Sequence, residues 1–381
     1  MALILNGTFP FIHKTEERGF TTGTGAGGGM PLSFDFWYDY TPYGTKSAGV
    51  KVDRATALKQ SAYWRAVNLI ASQVASLPVG LYKRLDNGDT EEITDHPAVP
   101  LIKRKPNEVH NPLIWRESMQ ACALTLGNGY SYIKRKGNGE PISLELLDPV
   151  EVEPILKDGS LIYKLGADRG VSPYFMLHVP ALSMRGVKGL SVLEAGAESM
   201  GINLAMQKFK GDMFKNGAKQ TGILTHPMPL SEKARAGVGR SFEQNMTQKD
   251  GGTMVLDEGM KFQSLSWSPI DAQLIQLEQL GIQDIARFFG IPPHLLFDES
   301  RSTFNNIAEQ GLQFVIYTLR QWVTRWEAEL NAKLLTEEEA VDHSFKFNMN
   351  ALMRGDLKSR YEAYAIGIVN RFIKPNEARA W

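Results

Sequence analysis

The sequence has one cysteine, Cys122, no run of about 18 apolar residues, and no excess of charge of either sign. One thiol cannot close an intrachain disulfide or build a metal cluster, and such sparing use is typical of a reducing cytosol. We expect Cys122, in the apolar stretch 119–126, to be a buried core residue. No stretch predicts a membrane-spanning helix. Residues 1–5 lack the basic flank and cleavage site of a signal peptide, so we expect a chain made in the cytoplasm.

Lysine plus arginine and aspartate plus glutamate number 42 each, so the formal net charge is zero. This balance argues against a tight nucleic-acid binder, which carries a basic surplus, but not against local contact with DNA. The basic runs 103–105 and 134–136 are short, and a solvated face is the better interpretation of each than a phosphate track.

Enzyme signatures are missing as well. The sequence has no G-x-x-x-x-G-K-[ST] phosphate loop, no G-x-S-x-G elbow and no H-E-x-x-H pair among its seven histidines. His178 lies in an apolar strand and reads as a hydrogen-bonded core histidine. The acidic runs 257–258, 298–299 and 337–339 are adjacent residues, which do not converge on metal ions as nuclease carboxylates do. We therefore predict no catalytic residues, no metal, no cofactor and no enzyme activity.

Residues 1–54 read as a flexible N-terminal arm. Residues 21–29 (TTGTGAGGG) contain a formal G-x-G-x-x-G, but neither a strand precedes it nor a helix follows it, as a dinucleotide site requires. The aromatic cluster that follows reads equally as a docking peptide or as a strand laid on the body; it comprises Phe34, Phe36, Trp37, Tyr38 and Tyr40.

The rest of the chain predicts an α+β protein in an unusual order. Residues 55–190 alternate helices and strands, with a helix over 55–77, a hairpin at Asn87 and Gly88, and a helix opened by Asn111. A capping box, Ser191 with Glu194, opens a helix to about residue 216. A small strand–helix–strand–strand segment follows over 221–265, and then a helix over 269–289. A loop over 290–305 leads to a long amphipathic helix over 306–335, a strand over 345–349 and a last helix from 356.

This order resembles the wing, stem, clip, stem, tunnel loop and wing order of phage portal proteins. Particular strings carry the likeness to the portal family of HK97-like phages: residues 61–71 (SAYWRAVNLIA), 126–130 (LGNGY), 285–296 (IARFFGIPPHLL), 302–307 (STFNNI) and 317–320 (YTLR). No acidic or proline-rich tail follows the last helix, and we expect the C-terminal crown to be truncated.

The resemblance implies a wing at 55–190, a stem helix at 191–220, a clip at 221–265, a second stem helix at 266–289, a tunnel loop at 290–306, a long wing helix and strand at 307–350 and the start of a crown at 351–381. It also implies a ring, usually of twelve subunits, at one vertex of the virion head, assembled in the host cytoplasm. Its expected partners are further copies of itself, the terminase large subunit, the major capsid protein, a head–tail connector and the double-stranded DNA passing through the channel.

Two sets of residues follow from the resemblance. In the clip, the residues expected to dock the terminase and connector are Glu232, Lys233, Arg235, Arg240 and Glu243. In the tunnel loop, the residues expected at the channel wall are Pro292, Pro293, His294, Asp298, Glu299, Arg301, Ser302, Thr303 and Asn305.

Charge predicts how such a wall would treat DNA. Between residues 268 and 300 five acidic residues stand against Arg287, a net charge of −4. An acidic wall repels phosphates and lets a duplex slide, whereas a basic wall would bind through counterion release. Alternatively, these acids pair with cations of neighbouring subunits. Two rival functions remain at this point: a head–tail adaptor, and a DNA-processing component of the packaging machine.

Overall fold

The computed structural model describes residues 46–47, 49–157, 159–166, 169–184, 186–215, 222–225, 229, 231–233, 235–238, 240, 261–264, 270–297, 311–349, 357–375 and 378. Its strands are β1 Lys46–Ser47, β2 Val50–Lys51, β3 Val79–Arg84, β4 Thr90–Ile93, β5 Asn128–Arg135, β6 Pro141–Leu147, β7 Val152–Lys157, β8 Ser160–Leu165, β9 Arg169–Val171, β10 Met176–Pro180, β11 Gly222–Thr225, β12 Lys261–Ser264 and β13 His343–Phe347. Its α-helices are α1 Arg54–Ala57, α2 Ser61–Ser76, α3 Ala98–Lys103, α4 Pro112–Leu126, α5 Val192–Ala195, α6 Ala197–Lys215, α7 Ile270–Phe289, α8 Arg320–Leu334 and α9 Leu357–Val369.

Local chemistry explains where several elements begin and end. The Asn111 side chain accepts a hydrogen bond from the Ile114 backbone and caps α4, as predicted, with proline in the first turn. Gly88, at φ 87°, makes the turn between β3 and β4. Gly127 ends α4 at φ 77°, a conformation that favours glycine. No described helix is both long and apolar enough to cross a membrane.

Three antiparallel three-stranded sheets form the body. Their strand orders are β13-β3-β4, β10-β5-β6 and β7-β8-β9, and the sequentially distant β13 returns to pair with β3. The predicted mixture of helices and strands is confirmed. The sequence could not place β13, because its partner lies about 260 residues earlier in the chain.

Helix α8 runs between the first two of these sheets. Trp326 of α8 meets Trp115 of α4 edge to face, with ring centroids 5.6 Å apart, and its indole N–H donates to the Gln120 side chain at 2.8 Å. Both tryptophans are completely buried. This aromatic contact centres the main core, and the indole nitrogen has the partner that burial requires.

Side chains of α8 also accept hydrogen bonds from backbone N–H groups on the edge strands of both sheets. The Phe347 and Phe345 N–H groups of β13 donate to Glu327 at 2.7 Å and to Asn331 at 2.6 Å. The His178 N–H of β10 donates to Glu329 at 2.9 Å. Edge strands expose such groups to pairing with other chains, and these three side chains block it.

The long-helix prediction needs two corrections. Residues Phe314–Leu319 form a π-helix ahead of α8, which apolar spacing did not reveal. Leu312 fits the apolar spacing of the predicted helix but is 43% exposed, because the wider π turn rotates the residues before it off the buried face. The predicted start of this helix, at residues 306–310, lies outside the described residues.

Other sequence predictions were also too simple. The helix expected over 55–77 is two helices, α1 and α2, separated by residues 58–60, and the one opened by Ser191 is broken at Gly196 into α5 and α6. Cys122, which was expected in the core, is only partly buried. The capping box of Ser191 and Glu194 is confirmed.

Glu329 gives a pH-dependent prediction. Burial raises the pKa of its carboxyl, so the folded chain takes up a proton at a higher pH than the unfolded chain does. Wild-type stability should therefore gain a contribution from Glu329 as pH falls toward the usual glutamate range, and lose it as pH rises through the folded pKa.

Glu329→Gln keeps an acceptor for the His178 N–H without a buried charge. We expect it to match or exceed wild-type stability at pH 7, with the advantage shrinking at pH 5. Glu329→Ala leaves that N–H unpaired and should cost about 1–3 kcal/mol. Urea unfolding at both pH values measures this, with the exposed Glu337→Gln as control. Equal losses of stability for both Glu329 variants would contradict the role of residue 329 as acceptor for the His178 N–H.

Candidate functional site

Helices α6 and α7 form an antiparallel pair. Lys210 of α6 contacts Glu278 of α7 at 2.7 Å, and the Ser199 hydroxyl donates to Asp284 at 3.1 Å near the opposite end of the pair. These contacts fix which turn of α6 lies beside which turn of α7. They are polar and partly exposed, so they set register more than they stabilise the pair.

Between these polar contacts the two helix backbones approach closely. Asn203 is buried, and its amide nitrogen lies 3.5 Å from the Gly281 carbonyl oxygen. A Cβ at Gly281 would lie 2.2 Å from the Asn203 side-chain oxygen. One buried amide against a glycine is a contact that fixes helix register. The sequence prediction of these helices did not include this contact, since it depends on alignment across 78 residues.

The strands β11 and β12 pair antiparallel from Gly222↔Ser264 to Thr225↔Lys261, so the segment between the two helices closes at its base. Of the four elements predicted for this segment, this pairing confirms the first and the last strand. Residues 232–233, 235–238 and 240 are helical, and the C-terminal end of that helix lies outside the described residues. The described candidates for docking are all exposed; they are Glu232, Lys233, Arg235 and Arg240.

Helix α7 ends in a glycine turn. Gly290 has φ 65°, its N–H donates to the Arg287 carbonyl at 3.2 Å, and the Ile291 N–H donates to the Ala286 carbonyl at 2.9 Å. These are the two bonds of a Schellman cap, which needs a left-handed residue. The Thr318 hydroxyl, in the π-helix, donates to the Gly290 carbonyl. The turn is therefore joined to the start of the long helix.

The first part of the predicted tunnel loop is folded against the body. Ile291 and Leu296 are buried, and residues Pro293–Leu296 form a 3-10 turn. Arg65 of α2 donates to the Leu295 carbonyl at 3.3 Å. Two prolines end the α7 direction as predicted, but apolar side chains then hold the chain on the core.

Three candidate residues of the predicted channel wall lie at this turn. Partial burial lowers the pKa of His294, so its ring is neutral at pH 7. Pro292 and Pro293 line a cavity of about 290 Å³ that also touches Tyr317 of the π-helix. The remaining candidates lie outside the described residues; they are Asp298, Glu299, Arg301, Ser302, Thr303, Asn305 and, in the docking segment, Glu243.

Two of the acidic residues counted on α7 have partners within the chain. Glu278 pairs with Lys210, and Asp284 accepts from Arg287 at 2.5 Å as well as from Ser199. The sequence left interchain pairing open as the alternative to a bare acidic wall. For these two acids the partners are in the same chain.

His178 is a buried residue whose two ring nitrogens both have hydrogen-bond partners, as predicted. Its ring accepts from the Tyr163 hydroxyl at 3.1 Å through Nδ1 and donates to the Asn128 side-chain oxygen at 3.0 Å through Nε2. The Asn128 amide nitrogen donates to two carbonyls, which fixes its orientation and hence the histidine tautomer. Burial lowers the pKa of His178 to about 3, so it stays neutral.

Arg135 departs from its prediction as a solvated residue. It donates to the Gly139, Tyr174 and Lys333 carbonyls and lies 4.1 Å from the Tyr174 ring centroid. It braces the β5–β6 hairpin against the end of α8. Within the described part of the chain, no group of three or more histidine, cysteine or acidic residues could hold a metal ion.

Comparison with known proteins identifies this arrangement. The family model described as phage portal protein matches residues 61–381. The chain belongs to the phage portal protein family. The portal protein of Enterobacteria phage HK97 is 29% identical over 315 residues, covering 80% of this chain and 73% of that protein. The probable portal protein of Streptomyces phage phiC31 is 29% identical over 367 residues, covering 90% of this chain and 80% of that one.

Solved structures agree on the fold. The portal protein of an HK97-family phage from Corynebacterium diphtheriae aligns with TM-score 0.61 and 17% identity, covering 80% of this chain and 98% of that one. A chain from the neck of an empty gene transfer agent particle, computed with C6 symmetry, gives TM-score 0.62, 20% identity and coverage of 88% and 93%. The resemblance to HK97-like portals is confirmed. Portal proteins are structural components of phage particles, and this membership disfavours the DNA-processing and adaptor alternatives.

The Asn203–Gly281 contact in this portal chain yields a stability prediction. Alanine is normally the better helix residue by about 1 kcal/mol. At Gly281 the added Cβ collides with Asn203, so Gly281→Ala should instead destabilise the chain and lower its thermal midpoint. Gly211→Ala, in α6, is the matched control because a Cβ there meets nothing within 4 Å. The idea fails if both variants stabilise equally in thermal unfolding followed by circular dichroism.

Proposed function

We propose that this portal chain forms a closed ring of twelve copies at one vertex of a phage head, through which double-stranded DNA enters and leaves. The observation that carries the proposal is an uncovered apolar surface on the α6–α7 pair. Ile202, Leu277 and Leu280 are each about half exposed, at 51%, 49% and 46%. Such a surface on a helix pair is typical of an interface.

Symmetry supports the same proposal. A chain from the neck of a native gene transfer agent particle, computed with C12 symmetry, aligns with TM-score 0.58 and covers 89% of this chain. Identical subunits joined head to tail close into a ring when their rotation divides a full turn. The α6–α7 pair would then lie along the channel, with the β11–β12 segment at one end.

The test is the oligomeric state. Leu277→Asp with Leu280→Asp should prevent ring formation while leaving each subunit folded, because both side chains are exposed in the isolated chain. Native mass spectrometry and electron microscopy of the purified protein measure this, with Leu113→Asp, an exposed site on α4, as control. A wild-type protein that stays monomeric at every concentration tested would overturn the proposal.

The β11–β12 segment is proposed as the clip that docks the terminase large subunit during packaging and a head–tail connector afterwards. Its support is the position of the segment between the two helices and its exposed charges of both signs. Charges at the rim of an interface set orientation and association rate. The wing would contact the major capsid protein, and the same channel would serve DNA ejection.

Reversal of charge tests the clip. Lys233→Glu with Arg235→Glu should leave the ring intact and abolish packaging, because neither side chain is part of the core. An in vitro packaging assay on assembled rings measures this, with Lys164→Glu in β8 as control. Normal packaging by the double variant would place the docking surface elsewhere.

The channel wall is proposed at residues 292–305. Because Glu278 and Asp284 are paired within the chain, the repulsion of phosphates would depend on Asp298 and Glu299 rather than on these two acids. Arg301 would be a transient phosphate contact within an otherwise acidic stretch.

Asp298→Lys with Glu299→Lys should slow DNA translocation and make its velocity depend on salt, because a cationic wall binds phosphates through counterion release. Glu278→Gln should leave velocity unchanged, as its charge is already balanced. Single-molecule packaging at two salt concentrations measures both. Unchanged velocity in rings carrying the two lysines would contradict the proposal that an acidic wall lets the duplex slide.

A further inference from the structure

A small cavity, the junction cavity, lies where the first turn of α2 meets the α6–α7 pair. Its volume is about 50 Å³, and its walls include Ser61 and Ala62 of α2, Met206 and Gln207 of α6 and Ile282 of α7. This is more space than one water molecule needs, so the tip of a side chain can enter. The cavity therefore joins a helix of the body to both helices of the pair.

One buried amide at this cavity has an acceptor without a partner. Gln60 lines the cavity and is only 2% exposed. Its side-chain nitrogen donates to the Met200 carbonyl at 3.0 Å, which fixes the orientation of the amide. Its Oε1 atom has no hydrogen-bond partner within the described part of the chain. Because an unpartnered buried acceptor is destabilising, the cavity favours a ligand that brings an N–H or O–H group.

The surface beside the cavity is aromatic and cationic. Trp64 follows Ser61 by one turn of α2 and is 57% exposed. Lys59, next to Gln60 in the chain, is exposed and pairs with no carboxylate of the described residues. A ligand with rings and negative charge would therefore match both the cavity and its surroundings.

The N-terminal arm leaves the described structure close to this junction. Strands β1 and β2 pair antiparallel, and both contact α6. The Thr56 hydroxyl of α1 donates to the Lys51 carbonyl at 3.2 Å, so the hairpin continues directly into α1 and then to Gln60. Lys46 is the first described residue, and 45 residues precede it. The arm therefore departs from a hairpin on α6, the helix that also lines the cavity.

The nearest part of the arm has the chemistry that the cavity favours. Residues 34–43 (FDFWYDYTPY) contain six aromatic residues, two aspartates and no lysine or arginine. Tryptophan and tyrosine carry a hydrogen-bond donor at the edge of an apolar ring. The chain from Tyr40 to Lys46 spans at most about 20 Å, and that from Trp37 about 30 Å. Because α6, with 19 residues, is about 28 Å long, the segment reaches the cavity of its own subunit.

We propose that residues 34–40 of the arm dock at the junction cavity of the same subunit. A tyrosine or tryptophan of this segment enters the cavity and donates to Gln60 Oε1, the neighbouring rings pack toward Trp64, and the aspartates face Lys59. The docked arm then joins α2 to the α6–α7 pair and holds the pair on the body. This contact lies within one subunit, so it does not rest on the proposed ring.

Hydrogen exchange of the full-length protein tests the docking. After correction for intrinsic rates, amides of residues 34–40 should exchange about tenfold more slowly than those of residues 21–29, as for a segment docked about nine-tenths of the time. Gln207→Trp fills the exposed mouth of the cavity and should abolish this protection. Asn68→Trp, at an exposed position further along α2, is the matched control and should keep it.

A second variant tests the hydrogen bond to Gln60. Trp37→Phe with Tyr38→Phe and Tyr40→Phe keeps every ring of the segment but removes its N–H and O–H donors. Protection of the segment should fall by several-fold, because the buried acceptor is again without a partner. Protection equal to that of the wild type would contradict the donation to Gln60.

Cross-linking tests which subunit the arm contacts. Thr41→Cys and Gln207→Cys are combined in a Cys122→Ser background and treated with a short bis-maleimide. The expected product has the mass of one subunit on a denaturing gel, with both cysteines linked. Thr41→Cys with Leu113→Cys is the control, because Leu113 is exposed at the start of α4, beside the C-terminal end of α2 and away from the cavity.

Each outcome decides one point. Equally fast exchange in residues 34–40 and 21–29 overturns the docking and leaves a cavity that holds water only. Protection that survives Gln207→Trp, or equal cross-linking in the control pair, overturns the junction cavity as the site. Linked products of two-subunit mass mean that the arm contacts a second copy, which overturns its assignment to the same subunit. A one-subunit product confined to the Gln207 pair, with protection lost in Gln207→Trp, supports the proposal.

Discussion

The structure depends on one helix, α8, lying between the open edges of two sheets. Each edge presents backbone donors, and Glu327, Asn331 and Glu329 accept from them. A sheet edge left unpaired in an assembling protein is a site for unwanted strand pairing. By occupying both edges, α8 joins two small sheets into one body and leaves association to other surfaces. Burying a glutamate for this purpose has a cost, which the hydrogen bond and nearby Lys333 partly offset.

A second constraint is the crossing of Gly127 and Gly189. No side chain fits at either position, and Asn128 and Ser191 supply the polar partners around them. Through Asn128 the crossing is continuous with His178 and Tyr163, so one buried hydrogen-bond network connects two of the sheets with the approach to α5. The sequence string LGNGY supplies Gly127 and Asn128 to this crossing. Its other glycine, Gly129, meets the Met119 backbone instead, where a Cβ would lie 2.5 Å from the carbonyl oxygen.

Prediction from the sequence succeeded where the signal was local. The Asn111 cap, the Ser191 capping box and the turn at Gly88 each depend on a few adjacent residues, and each is confirmed. Prediction was wrong, or gave no answer, where the structure depends on contacts between residues distant in sequence. Leu312 is displaced from the apolar face by a π turn, Arg135 has an acceptor as far along the chain as Lys333, and β13 pairs with β3 from about 260 residues away. Of the candidate site, the exposed charges at residues 232–240 were foreseeable. The burial of Leu296 and the intrachain partners of Glu278 and Asp284 were not.

The distribution of apolar surface indicates an order of folding and assembly. Trp115, Trp326, Tyr63 and Phe345 are almost wholly buried within one subunit, so the body has a core that needs no partner. Leu277 and Leu280 on α7, by contrast, are half exposed although α7 is anchored to the body through Ile285 and Phe289. A subunit built this way folds first and associates afterwards, because its stability comes from the core and its association from side chains that the core does not use. Association then depends on subunit concentration by mass action, whereas the fold of the body does not.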